Sequence, residues 1–170
     1  MSRGLGDVYK RQGVNNIRPI APPPTINGAM GMLFASNYLF VYGERGLVQW
    51  SKSNNPLDFS NPTARQISIS NDKVIYAKSI RGGVNNPAIL FWTMSSVVRC
   101  INNPSANTPP DTLAFQVDVI SNSSSILSSR CVVEYDGVFF WPGTKRFFQY
   151  TGVVRAVSYT HLTLPTTSRV

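Results

Sequence analysis

Two stretches decide the reading: Leu39-Phe40-Val41-Tyr42…Leu47-Val48-Gln49-Trp50, and Ile89-Leu90-Phe91-Trp92…Val97-Val98-Arg99-Cys100. They agree without a gap at an offset of 50 residues. In both, an apolar run rich in aromatic and β-branched residues is followed by a short polar turn and a second such run, the pattern of a β-hairpin. A third copy matches Val138-Phe139-Phe140-Trp141 to the first half and Phe147-Phe148-Gln149-Tyr150 to the second, with Gln149 lying 100 residues beyond Gln49. An aromatic residue then recurs in each second strand, as Tyr42, Trp92 and Trp141.

Working outward, each pair of runs sits inside a larger set. The first set comprises Met30–Ala35, Tyr38–Tyr42, Leu47–Ser51 and Gln66–Ser70, and the second Val74–Ile80, Ala88–Thr93, Val97–Ile101 and Leu113–Ile120. The third comprises Arg130–Tyr135, Val138–Trp141 and Arg146–Tyr150, and its fourth strand is expected to be cut off. Asp136-Gly137 between the first two of these is a strong two-residue hairpin signal. Four short strands recurring with a period near 50 residues predict an all-β protein of antiparallel four-stranded meanders, a partial β-propeller of about two and a half to three blades. The alternative is a β-sandwich with evenly spaced hairpins. The expected organisation is a blade-like repeat at 30–70, a second at 71–120 and an incomplete third at 121–156. Before them, residues 13–29 include Pro19-Ile20-Ala21-Pro22-Pro23-Pro24, which cannot donate to a ladder and is expected to run extended into the first repeat.

The two ends read differently. Ser2–Gln12, SRGLGDVYKRQ, and Val157–Thr166, VSYTHLTLPT, can be encoded by DNA stretches that are inverted repeats of one another. They resemble the translated transposase adapters of sequencing libraries, so residues 1–12 and 157–170 are expected not to be native and the interior to be a fragment of a longer chain. Arg3, Lys10, Arg11 and Arg169 belong to these segments, as does Asp7, so the net charge falls from +8 for the whole chain to +5 for the interior. The only histidine, His161, lies there too. The interior therefore has no imidazole for acid–base chemistry or metal binding.

Other chemistry is equally thin in the interior. Cys100 and Cys131 stand far apart with no metal-ligand spacing and read as buried strand residues rather than a disulfide. No apolar run approaches the roughly 18 to 20 residues that span a bilayer. Asp72, Asp118, Glu134 and Asp136 are the carboxylates to weigh for catalysis. The turns account for Asp136 and for Asp72, after Asn71, and nothing pairs Glu134 with Asp118. Arg81-Gly82-Gly83 lacks the lysine-serine and following helix of a phosphate loop. The repeated turns of sialidase-type and the Gly-His and Trp-Asp pairs of WD-type propellers are missing. No catalytic, cofactor-binding or metal-binding residue is assigned, no cofactor is expected, and the protein is not expected to be an enzyme. The basic residues Arg45, Lys52, Arg65, Lys73, Lys78, Arg81, Arg99, Lys145 and Arg146 fall mostly in turns and at strand ends, where solvated surface is the default reading. Gathered on one annular face, they would attract a phosphate backbone without reading its sequence.

Three runs carry a family resemblance: VYGERGLVQWSKSNNPLDF (Val41–Phe59), SIRGGVNNPAILFWTMSSVVR (Ser79–Arg99) and SSSILSSRCVVEYDGVFFWPGTKRFFQYTGVVR (Ser123–Arg155). They resemble virion proteins of tailed bacteriophages, and more narrowly the tail accessory or packaged-DNA stabilisation proteins of short-tailed phages, which are tail nozzle-like β-propellers. The similarity spans nearly all of Val14–Arg155. Its most specific piece is Trp50-Ser51-Lys52-Ser53-Asn54-Asn55-Pro56-Leu57-Asp58-Phe59, a strand end feeding a turn. The resemblance implies a structural protein of the tail or head–tail junction, assembled in the bacterial host cytoplasm and located in the virion. Its partners would be copies of itself in a ring, portal or tail proteins, and the DNA backbone through non-specific contact, with no membrane. The alternatives are a glycan-binding or carbohydrate-processing β-propeller, which needs clustered carboxylates and exposed aromatics, and a phage host-adhesion module.

Overall fold

Short runs of alternating apolar residues, punctuated by residues that accept a left-handed backbone, fold into hairpins. The computed structural model describes residues 20, 23–60, 65–80, 88–102 and 115–157. Among them lie twelve strands: β1 (Ala29–Ala35), β2 (Tyr38–Gly43), β3 (Leu47–Trp50), β4 (Gln66–Ser68), β5 (Val74–Ile80) and β6 (Ala88–Thr93), then β7 (Val97–Asn102), β8 (Phe115–Ser121), β9 (Val133–Tyr135), β10 (Val138–Pro142), β11 (Phe147–Tyr150) and β12 (Val154–Val157). A 3-10 turn, Glu44–Gly46, separates β2 from β3. Ser36 and Asn37 (φ 50° and 68°) and Asp136 and Gly137 (φ 49° and 76°) supply the paired positive φ values of tight hairpin turns.

The strands pair in chain order into three four-stranded antiparallel sheets, β1-β2-β3-β4, β5-β6-β7-β8 and β9-β10-β11-β12. These stack one after another, with the second sheet between the others. Phe40, Tyr42, Val48 and Trp50 of the first sheet share one core with Ile89, Phe91, Val98, Cys100 and Phe115 of the second. Phe115 sits edge-on to Phe40 and Trp50, at 5.0 and 5.1 Å between ring centres. The other face of the second sheet, Leu90, Trp92 and Val97, meets Phe139, Trp141, Phe148 and Tyr150 of the third. All six residues of β6 are buried. A strand covered on both faces needs no polar alternation, which is why AILFWT reads as a continuous apolar run. Each such side chain contributes about 1.5–3 kcal/mol when fully buried.

The first strands of successive sheets converge. β1 makes the closest approach to the second sheet, against β5. Lys78 on β5 reaches Glu134 on β9 at 2.6 Å and lies 5.4 Å from the Phe139 ring centre. From the last strand of each sheet the chain returns to the first strand of the next, the wiring of propeller blades. The fold is all-β, in a partial propeller arrangement of three stacked sheets. Among the described residues no helix is long and apolar enough to cross a membrane.

The structure corrects several details. The uniform 50-residue offset holds from β2 to β6, but β3 and β7 are 49 apart: Phe40 pairs with Trp50, whereas Cys100 pairs with Ile89 and Leu90 with Arg99. The cause is the turn. Five residues separate the pair Tyr42 and Val48, and four separate Trp92 and Val97, where Thr93 and Ser96 close the hairpin through a 2.9 Å backbone bond. A slip of one residue moves every side chain to the opposite face. Trp141 accordingly matches Phe91, not Trp92, and the two tryptophans face each other at 5.6 Å.

The third sheet also has its fourth strand. β12 pairs with β11 from Tyr150↔Val154 to Phe147↔Val157 and ends on the first residue assigned to the adapter. Arg130–Tyr135 is a strand only from Val133, because Ser128 draws its neighbours into a turn: its hydroxyl accepts the Arg130 N–H at 3.2 Å and its carbonyl the Cys131 N–H at 3.3 Å. Cys131 is therefore half-buried outside a strand, while Cys100 is a buried strand residue, and both are free thiols. In the Pro-rich lead, residues 23–26 carry no regular structure, and residues 1–19 and 158–170 lie outside the described residues.

Candidate nucleic-acid interface

The weighed carboxylates each have a local partner. Asp118, on β8, accepts Arg99 Nη2 at 3.1 Å from the adjacent β7. Glu134, on β9, is held by Lys78. Asp72 accepts the Ser95 hydroxyl, and its own N–H donates to Ser70 Oγ at 3.0 Å. Asp136 occupies its hairpin turn. Asp118 and Glu134 do not come together. The second sheet has Lys78, the partner of Glu134, on its first strand and Asp118 on its last, three strand spacings or roughly 14 Å across. Beside Asp118, Cys100 is no nucleophile: burial first, and then the Asp118 charge, push its thiol up to about 12.

The cations divide into two groups. Lys73, Lys78 and Arg99 are neutralised by Glu44 (3.5 Å), Glu134 and Asp118. The converging first strands β1, β5 and β9 carry only Lys78 and Glu134 as charges, so the inner edge of the stack is neutral. Arg65 donates to the Ser60 carbonyl at 3.1 Å. Lys52 lies near Asp58, whose carboxyl is held below its usual range first by hydrogen bonds from Ser60 and then by the neighbouring cations. Arg81 is outside the described residues.

The end of the stack where second strands turn into third strands has a different balance. Arg45 lies in the first of these turns, and Lys145 and Arg146 in the third. The connections between sheets pass the same end. Ile69 N–H bonds to the Gly46 carbonyl at 2.9 Å just before Asp72 and Lys73, and Leu127 N–H to that of Pro142 at 3.2 Å just before Arg130. Arg45, Lys73, Arg130, Lys145 and Arg146 thus share one end face with only Glu44 and Asp72, and the surplus is positive.

At that end the third sheet forms an open cleft of about 410 Å³. Hydroxyls of Ser121, Ser123, Ser125 and Thr144 line it with Lys145 and Arg146, over a floor of Phe148, Val154 and Ala156. No carboxylate is among the lining residues. The walls are fixed: Thr144 N–H donates to Ser125 Oγ at 2.9 Å, the two hydroxyls lie 3.1 Å apart, and Trp141 Nε1–H donates to the Ser125 carbonyl at 3.2 Å. Gly143 is required beside them, since a Cβ there would lie 2.7 Å from Ser125 Oγ. Hydroxyl groups flanked by two cations can donate to an anionic oxygen such as that of a phosphate. In the sequence Ser121–Ser125 falls between the second and third sets of strands. The signal was the coincidence of a serine run with Thr144-Lys145-Arg146, which become neighbours only once the hairpin folds.

The motif Trp50…Phe59 is a strand end feeding a turn, as expected. Ser51 N–H donates to the Leu39 carbonyl at 2.9 Å and Ser51 Oγ accepts the Leu39 N–H at 3.0 Å, Lys52 N–H reaches the Asp58 carbonyl at 2.8 Å, and Phe59 is buried as the anchor. No protein-family model matches the chain, and no curated protein matches it.

Proposed function

We propose that the chain is part of a virion structural protein of a bacteriophage tail or head–tail junction, one of several copies in a ring that retains and conducts packaged DNA. The family resemblance of the three repeats motivates the reading. The observation that carries its DNA-facing part is the positive end face, with Lys145 and Arg146 beside the hydroxyl-lined cleft and no carboxylate lining it. Contact with DNA then falls on the turn end of the stack, because the described inner edge is neutral. Such contact is electrostatic and independent of base sequence. The carbohydrate-processing alternative requires Asp118 and Glu134 in one pocket, and they stand on separate strands with separate cations.

The test is fluorescence anisotropy with duplexes of unrelated sequence, titrated across 50–200 mM salt, a range over which phosphate contacts weaken steeply. The expected outcome is equal affinity for all duplexes and a steep loss with salt. Lys145→Ala/Arg146→Ala lowers the slope of log K against log salt by about two. Absent binding at the lowest salt, or a double variant indistinguishable from the parent, would count against the reading.

A further inference from the structure

The outward face of the third sheet repeats, 100 residues on, the face by which the first sheet packs on the second. β1 and β2 pair Leu33 with Phe40 and Ala35 with Tyr38, and β9 and β10 pair Val133 with Phe140 and Tyr135 with Val138. The two registers superpose with no shift. In the first sheet Ala35 and Phe40 are 7% and 0% exposed, with Leu33 and Tyr38 packed on the same core. Leu90, which occupies the Phe40 position in the second sheet, is likewise 0% exposed, against the third sheet. In the third sheet Val133, Tyr135 and Phe140 are 60%, 77% and 37% exposed.

Large apolar residues on one face of a sheet are a buried pattern, and a water-facing sheet alternates them with polar ones. The outward face of the first sheet is covered only in part. There Thr25 N–H donates to Gln49 Oε1 at 2.9 Å and Val41, Gln49, Ser51 and Phe59 are buried, while Met32, which pairs with Val41, and Phe34 are 66% and 59% exposed.

We infer that the outward face of the third sheet seats a further four-stranded antiparallel sheet of the same repeat, packed on Val133, Tyr135 and Phe140 as the second sheet packs on the first. The second and third sheets show what this neighbour presents. Each offers its predecessor large residues at the same four positions: Ile89, Phe91, Val98 and Cys100 in one, Phe139, Trp141, Phe148 and Tyr150 in the other. The inference continues two interfaces already built and does not depend on the phage reading.

Hydroxyl-radical footprinting of Tyr135 and Phe140 tests it, on the 170-residue chain and on the same chain carrying a second copy of residues 69–121 after Val157. In the first, diluted to where it sediments as a monomer, both residues oxidise as exposed aromatics do. In the second, their rates fall to that of Phe139, which is buried in both. Unchanged rates in an extended chain whose far-UV circular dichroism shows the added strands overturn the inference. So does protection already present in the shorter chain, whether by its own residues as a monomer or by a second copy in a closed dimer. Sedimentation velocity supplies an arm that does not require the added sheet to fold. The 170-residue chain self-associates in an open-ended, concentration-dependent way, and Tyr135→Ser/Phe140→Ser abolishes this with an unchanged dichroism spectrum. A monodisperse parent chain, or a double variant that associates as readily, overturns it.

Discussion

Trp92 and Trp141 meet edge to face across one interface, yet their indole N–H groups differ. That of Trp141 donates to the Ser125 carbonyl and ties β10 to the cleft wall. That of Trp92 is buried with no acceptor among the described residues. A hydrogen bond of this kind contributes about 1 kcal/mol net, while an unmet buried donor is a cost already present in the parent. Both substitutions by phenylalanine shrink a ring in the same core. Trp141→Phe is therefore expected to lower the unfolding free energy by about 1 kcal/mol more than Trp92→Phe, read from urea melts. Equal losses would show that the Ser125 bond adds nothing. This difference was not legible in the sequence, which placed both tryptophans at one repeat position. Cys100 and Cys131 show the same limit: each stands in an apolar run, but only the Ser128 turn, a matter of local hydrogen bonding, takes Cys131 out of the ladder.

At the scale of the element, nearly every strand was legible because apolar alternation and turn residues agree locally. Val74–Ile80 and Ala88–Thr93 match at both ends. What the pattern could not show was the one-residue difference between the 43–47 and 93–96 turns, since a period count tolerates a slip that the pleat does not. The glycines of these turns separate two costs. Gly46 has φ +65°, and a Cβ there would overlap the Ser70 carbonyl oxygen where the first sheet hands over to the second. Gly137 has φ +76° and open space around it. Gly137→Ala is expected to cost only the left-handed backbone strain, about 1–2 kcal/mol. Gly46→Ala adds an overpacking cost of about 1–3 kcal/mol and displaces the connection. Thermal melts of the two variants check the order, and a Gly46→Ala protein as stable as Gly137→Ala would contradict the close approach.

In the whole molecule, stacking gives the sheets unequal roles. The first and third sheets each share a core with the second, and the two cores have no residue in common. The cations that make up the positive end face were legible as turn residues. Their gathering was not, because Arg45, Lys73, Arg130 and Lys145 come from four separate connections that only the three-sheet stack brings to one end. Stability in such an array is close to a sum of nearest-neighbour interfaces. Leu90 lies wholly within the second core, facing the third sheet. Leu90→Ala removes buried methyl groups there and is expected to cost about 2–5 kcal/mol. The loss should not be spread evenly. Native-state hydrogen exchange of the variant is expected to show amide protection falling most in β10 and β11, less in β6 and β7, and least in β2 and β3, whose core with the second sheet keeps Phe40, Phe91 and Phe115 in contact. A uniform fall across all three sheets would mean that the stack unfolds as one cooperative unit and that the two cores are coupled through β6.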